Sequence, residues 1–414
     1  MKKVLLRAPL LSVSGYGVHC RQVFKWLLGR YDVELYCQVV QWGNTSWMIN
    51  SDMEDGIVGS IMDHSKELSG KADVSIQVQL PDEWDSDLAH KNIGISAVIE
   101  TDMCNPVWIH AMNKMDAVVV PSEHVRDIIL NTGPISTNLF VIPEWYYENI
   151  DKSSIDELDI DFDTSFNFLT VAQFTGNDAF TDRKNLYFTL KWFCDAFSND
   201  PEVGLVLKTN HGKGSKIDRQ ITRNKVRQVL GEVRKGPYPK IHLVHGNMTS
   251  DEIISLYRHS KIKALISLTR GEGFGLPLLE SAACELPVVA TNWSAHLDFL
   301  NLGRFIPINY SLCNIPDNKV DGRIFIEGMK WADPSEKDFK LKIKKLRNKY
   351  DIPKQWAVDL SKKVKSQFNS ESIISQYDDM LNKTLGENSV SILDIHGDTH
   401  STAKGVIPSL DINT

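Results

Sequence analysis

The sequence predicts an α/β protein made of two domains, each built on a parallel sheet. Three observations carry that expectation. A chain of 414 residues with 42% hydrophobic content can fill two separate cores. Short apolar runs alternate with stretches of helical periodicity along most of its length, the pattern of strand–helix–strand units. Between residues 151 and 165 the text DKSSIDELDIDFDTS is acidic and short of large apolar side chains, as a connection between domains should be. The first domain is therefore placed at 1–150 and the second at 166–350.

The first domain opens with a strand, a turn and a helix. Val4–Leu6 is the strand, SVSGYG the turn, and Val18–Leu28 a helix in which Val23, Phe24, Leu27 and Leu28 recur at helical spacing. Val33–Val40 is the next strand. Gly17, placed immediately before the helix, would let a backbone amide press against a phosphate, although a G-x-G turn also serves as a plain tight connection. Downstream, IGISAVIETD reads as a strand ending at Glu100 and Asp102, followed by the helix NPVWIHAMNKM and the strand DAVVVPSE. Chemistry is commonly carried where parallel strands end, which singles out Glu100. Ser122 is the expected N-cap of the helix that begins SEHVRDIIL.

The second domain begins with the buried strand FNFLTVAQF. Arg183 and Lys184 then lead into an amphipathic helix, and the strand GLVLKT carries Lys208 near its end. Fixed cations of this kind stabilise the charge that develops on a departing diphosphate. Further on lies SLTRGEGFGLPLLESAACELPVVATN, in which Ala264–Leu268 reads as a buried strand. Gly271, Gly273 and Gly275 permit a tight turn with close ligand approach, and Pro277 suits a helix start. The N–H groups of Phe274, Gly275 and Leu276 would point out of that helix start, where the dipole favours a phosphate. Glu280 falls in the first helical turn. A carboxylate so close to a phosphate would repel it, so its expected partner is a neutral hydroxyl pair such as a ribose diol. Glu272 precedes the turn and can face another part of the same ligand. The structural alternative makes Glu280 a helix-capping acid and Glu272 a solvated one.

From His242 to Asn292 the chain resembles the nucleotide-sugar half of retaining GT-B glycosyltransferases of the family 4, group 1, type. Their signature of a Glu, seven residues and a second Glu stands here as EGFGLPLLE, residues 272–280. The order of elements agrees as well: the strand IHLVHGN, the helix SDEIISLYRHS, the strand KALISL, the signature, and the strand PVVAT. The resemblance implies two Rossmann-like domains facing each other across a cleft, with 151–165 as the linker. Residues 166–350 would bind the donor and 1–150 the acceptor. Helices in 351–385 would return toward the first domain, and 386–414 forms a tail to which no role is assigned. It further implies transfer of a sugar from a UDP- or GDP-linked donor to an acceptor hydroxyl, with retention of configuration and with no essential metal or other cofactor.

By the same resemblance, Glu272 and Glu100 are the catalytic candidates. The donor would meet Gly17, Arg183, Lys184, Lys208, Met248, Phe274, Gly275, Leu276 and Glu280. Met248 belongs to a loop whose backbone, in the family, holds the nucleotide base. Two departures stand out. Many relatives carry a histidine near the position of Glu100; His110 is an alternative, but it lies mid-helix near Trp108 and Met112. Gln173 occupies the approximate place of the family's arginine, so Lys184 has to be joined by Arg183 or Lys208.

Composition narrows the remaining classes. A net charge of −7 argues against a protein coated uniformly for nucleic acid. No stretch approaches the ~18–20 apolar residues of a membrane helix, and MKKVLLRAPLL lacks the long apolar region and cleavage site of a leader. The cysteines at 20, 37, 104, 194, 284 and 313 have no ligand spacing, so reduced core thiols in a cytoplasmic protein are expected, without disulfides or structural zinc. Asp159, Asp161 and Asp163 have a metal-like spacing but sit in the linker rather than after a core strand, and no metal site is assigned to them. Residues 208–240 hold ten Lys or Arg against Asp218 and Glu232, with Ile217, Ile221, Val226, Val229, Leu230 and Val233 expected to form an apolar helical face, and 337–349 form a second basic run. Both leave room for a polyanion, whether a nucleic acid, a phospholipid membrane surface or an acidic glycan. The acceptor stays open among glycan, lipid-linked, protein and DNA. An enzyme that glycosylates a hydroxylated base in DNA, or a non-catalytic sugar- or nucleotide-binding module, are the alternatives.

Overall fold

The computed structural model describes residues 1–386 except 156, 157 and 213; the tail 387–414 lies outside the described residues. Two six-stranded sheets, all parallel, organise the chain. The first holds β1 (Lys2–Ala8), β2 (Val33–Val39), β3 (Ala72–Val78), β4 (Ala89–Ile95), β5 (Ala117–Val120) and β6 (Asn138–Val141), in the order β2-β1-β3-β4-β5-β6. The second holds β7 (Phe166–Val171), β8 (Val203–Thr209), β9 (Lys240–His245), β10 (Ile262–Ser267), β11 (Val288–Thr291) and β12 (Ile306–Ile308), in the order β12-β11-β10-β7-β8-β9. Near-continuous burial along β7, β8 and β11 is what a parallel sheet covered on both faces requires.

The helices are α1 (Gly15–Leu28), α2 (Ile57–His64), α3 (Pro106–Met112), α4 (Glu123–Thr132), α5 (Leu186–Ala196), α6 (Lys216–Val233), α7 (Ser250–Arg258), α8 (Leu276–Ala283), α9 (Leu297–Leu300), α10 (Glu336–Asn348), α11 (Asp351–Gln367) and α12 (Ser370–Leu385). Ser122 caps α4 by accepting from Val125 N–H at 3.2 Å, as the sequence predicts. The last helix, α12, buries Ile373, Tyr377 and Met380 in the first domain's core, and Tyr377 stacks on Trp26 of α1 at 4.8 Å.

An antiparallel hairpin, β13 (Tyr310–Asn314) and β14 (Lys330–Pro334), follows β12 and carries an arm that reaches the first domain. Ile315, Met329 and Trp331 of this arm share one buried cluster with Trp108 and Met112 of α3. Arg323 pairs with Asp82 at 2.6 Å and Glu83 at 2.8 Å, and Asp102 and Lys330 exchange hydrogen bonds. The arm also touches the second domain's loop after β7, where Lys319 donates to the Thr175 carbonyl at 3.2 Å.

Four local readings are corrected. The first helix begins at Gly15, capped by Ser14, so Gly17 is the third helical residue and not the residue before the helix. Strand β4 ends at Ile95, which puts Glu100 in the following loop. Glu280 is the fifth residue of α8 and opens its second turn, because the helix starts at Leu276. On α6, Ile217 and Ile221 are 73% and 48% exposed rather than part of the packed face, which Thr222, Val226, Val229 and Val233 supply.

Candidate active site

The loop between β10 and α8 places Glu272 beneath two cations. Lys184 Nζ lies 2.7 Å from both carboxylate oxygens of Glu272, and Arg183 Nη1 lies 3.5 Å from one of them. The Glu272 backbone N–H donates to Ser294 Oγ at 2.9 Å. Burial would push the pKa of this carboxyl up, but the charges of Lys184 and Arg183 outweigh burial and hold it at about 2. Glu272 is therefore a fixed carboxylate, only 6% exposed.

The two cations are aimed by their own loop. Buried Asp182 accepts from the backbone N–H and hydroxyl of Thr175 and from the N–H of Leu186, which pins both ends of the segment leading into α5. Asn185 takes the left-handed conformation (φ 57°) that short polar side chains tolerate, and this turns Arg183 and Lys184 toward the glycine loop. Arg183 donates to the Gly271 carbonyl at 2.6 Å and pairs with Glu100 at 3.0 Å across the domain boundary.

The glycine loop has two jobs. Gly275 stands at φ 104°, a conformation open to glycine, and precedes α8 without a side-chain cap. Among the described residues the N–H groups of Phe274, Gly275 and Leu276 meet no acceptor, so the helix start keeps free donors for an anion. Gly271 and Gly273, in contrast, admit the other domain. A Cβ on Gly271 would lie 2.4 Å from the Glu100 carbonyl oxygen, and one on Gly273 would lie 2.8 Å from Ala97 Cβ. The close approach at these two glycines is to residues of the first domain. Ser122 Oγ also donates to the Gly273 carbonyl at 3.0 Å, and Asp298 accepts from the Glu123 N–H at 2.8 Å, so a second-domain carboxylate caps α4.

Glu280 lies one turn deeper. It is 4% exposed and accepts from the Tyr257 hydroxyl at 2.9 Å. Burial pushes its carboxyl up to about 8. Glu144, from the segment after β6, is likewise pushed up to about 8, first by burial and then by the nearby Glu280. Among the described residues its Oε2 has no hydrogen-bond partner. Sequence reasoning missed Glu144 because nothing local marks an acid in IPEWYY as buried. Ser294, Asp182 and Tyr257 were missed for the same reason: their roles depend on segments brought together only by the fold.

The other candidates are spread around this centre. Lys208 is buried near the end of β8, with Nζ donating to the Gly246 carbonyl at 2.6 Å, and burial lowers it to about 8. Met248 sits half-buried in the loop between β9 and α7. Gly17 faces inward: a Cβ there would come 1.9 Å from the Ser12 carbonyl oxygen, and its N–H is held by Ser14 Oγ. That glycine is required for packing, and its amide is not free for a phosphate. His110 is exposed in the last turn of α3, and Gln173 is exposed just past β7. In the linker, Asp161 pairs with Lys261 and Asp163 with His242 at 3.5 Å. A cavity of about 550 Å³, lined in part by Arg258, Lys263 and Lys354, opens at the start of β10, at the opposite end of that strand from Glu272.

Residues 235–304, which contain both glutamates, match the family model described as glycosyl transferases group 1. No curated protein matches the chain. Among solved structures, the chain is similar to a sucrose-phosphate synthase from Thermosynechococcus elongatus, at 12% identity and a TM-score of 0.63 over 93% of this chain and 100% of that one. It is also similar to a glycosyltransferase from Rickettsia africae ESF-5, at 16% identity and 0.64 over 94% and 99%. A third similarity is to the Anabaena protein HepE, solved in complex with UDP-glucose, at 12% identity and 0.56 over 92% and 100%. At these identities the likeness is one of fold. The chain thus has the GT-B fold, and within its second domain residues 235–304 match the glycosyl transferases group 1 model.

Proposed function

We propose that the protein is a glycosyltransferase that moves a sugar from a nucleotide-sugar donor to an acceptor hydroxyl with retention of configuration. The observation that carries this reading is the pairing of a fixed Glu272 carboxylate and two cations with the free N–H groups at the start of α8. The N–H groups and the cations of Arg183 and Lys184 suit a diphosphate, and Glu272 suits the hydroxyls of the sugar attached to it. Glu280, neutral below about pH 8, suits a ribose diol because it adds no charge beside the phosphates. Lys208 and the loop holding Met248 border the nucleotide's far end. Glu100 faces the same cleft from the first domain and sets the position of Arg183.

In the reaction, the bond between the anomeric carbon and the diphosphate oxygen breaks, and the acceptor oxygen bonds to that carbon on the same face. The acceptor's proton passes to the departing diphosphate. No covalent nucleophile is assigned; positioning and charge stabilisation supply the rate. The reading includes independence of divalent metal, with Arg183 and Lys184, once drawn from their carboxylates by the donor, supplying the charge on the leaving group. UDP- and GDP-linked sugars should be screened by thermal shift, with the best binder then assayed for nucleotide release in EDTA. Release in EDTA that disappears in Glu272→Ala supports the proposal. Absence of any nucleotide-sugar binding by the folded protein contradicts it.

A further inference from the structure

Helix α6 presents a cationic stripe that nothing in the candidate active site uses. Lys216, Arg219, Arg223 and Arg227 recur at i, i+3, i+7 and i+11, which places them on one face over about 16 Å of helix. All four are exposed, and among the described residues none is paired with a carboxylate. The second basic run behaves differently: on α10, Lys340 pairs with Asp195, Lys342 with Asp338, and Arg347 with Glu202. Flanking the α6 stripe, Ile217 and Ile221 point into water. The residues before α6 meet the first domain where Ser46 Oγ donates to the Gly212 carbonyl at 2.9 Å. That first-domain loop exposes Trp47 by 43% and Ile49 by 79%.

We infer that this edge, formed by α6 and the loop carrying Trp47 and Ile49, docks the protein on an anionic lipid surface. Cations complement phosphate headgroups, and large apolar side chains beside them gain by entering the boundary between headgroups and acyl chains. The same apolar side chains distinguish a lipid partner from a nucleic acid, whose backbone calls for the cations alone. Both domains contribute, so docking sets the orientation of the cleft relative to the bilayer. The inference is independent of the transferase reading.

The test is cosedimentation of the full chain with phosphatidylcholine vesicles, with or without 30% phosphatidylglycerol, at low and at physiological salt. Binding is expected only with the anionic vesicles, weakening as salt rises. The triple variant Arg219→Gln, Arg223→Gln, Arg227→Gln should lose about a hundredfold in vesicle affinity, at roughly fivefold per cation. The pair Ile217→Ser and Ile221→Ser, which leaves the charge unchanged, should lose about tenfold. Thermal melting of each variant should match the parent, because every altered side chain is exposed. Failure to pellet with anionic vesicles overturns the inference. So does full vesicle binding by either variant, or tighter binding to a duplex oligonucleotide than to the vesicles.

Discussion

Arg183 and Glu100 pair across the domain boundary at 3.0 Å, while the other end of the same guanidinium holds the Gly271 carbonyl and approaches Glu272. In this arrangement carboxylates occupy the cations assigned to the diphosphate. On the proposed reading a bound donor would have to draw Arg183 and Lys184 from them, which would couple donor binding to the contact between the two halves.

Glu272→Ala should abolish most transfer while leaving nucleotide binding measurable. Loss of one preorganised charged contact commonly costs about 10²–10³ in rate. The variant also leaves Lys184 without its carboxylate in a site that is largely out of water, so a lower melting temperature is expected alongside the lost activity. Full transfer by a folded Glu272→Ala protein would remove that residue from the mechanism.

Stability should fall as pH rises through neutrality, on account of Glu144 and Glu280. Both carboxyls are pushed up to about 8 in the folded protein, against an ordinary value of 4.5. Between those limits the folded state keeps protons that the unfolded chain has released, so each group subtracts up to ~1.4 kcal/mol per pH unit as pH increases. Glu144→Gln should flatten the decline in melting temperature between pH 5.5 and 8. Glu272 has the opposite sign: its contribution, complete above pH 4.5, is lost as pH falls toward 2.

Gly271→Ala should destabilise the protein by about 1–3 kcal/mol, because the added methyl group meets the Glu100 carbonyl at 2.4 Å. Gly236→Ala, where a Cβ meets nothing within 4 Å, should be close to neutral. Urea unfolding of the two variants makes the comparison. Equal effects would show that the domains do not press together at the glycine loop.

The arm offers a similar contrast. Trp331→Ala should cost about 3–5 kcal/mol, since the ring is 1% exposed within a cluster drawn from both domains. Arg323→Ala should cost less than about 1 kcal/mol, because its pairs with Asp82 and Glu83 are solvent-screened. Denaturant titration of both variants decides whether burial or charge fastens the arm.

The fold class was legible because strands such as FNFLTV and VVAT are apolar runs separated by helical periodicity. Residues 271–280 stood out in the sequence because two glutamates and three glycines cluster there. Boundaries were less so. IGISAVIETD looks like one strand, but pairing with β5 stops at Ile95, and Val98 then adopts φ 53°, so the chain leaves the sheet well before Glu100. Gly17 resembled a phosphate contact because its sequence neighbours cannot reveal that the Ser12 carbonyl lies against it. Glu144 shows the limit most plainly. Its character comes from burial near Glu280, and those residues are far apart in sequence.

Helix α4 shows why the two halves are not exchangeable parts. Its first N–H is satisfied by Asp298, and the hydroxyl of its capping Ser122 is spent on the Gly273 carbonyl, both in the second domain. Grafting a foreign first domain onto this second domain would leave those groups unmatched unless the graft carried its own equivalents. On the proposed reading, a change of acceptor is therefore better sought by substitution within the first domain than by recombination between domains.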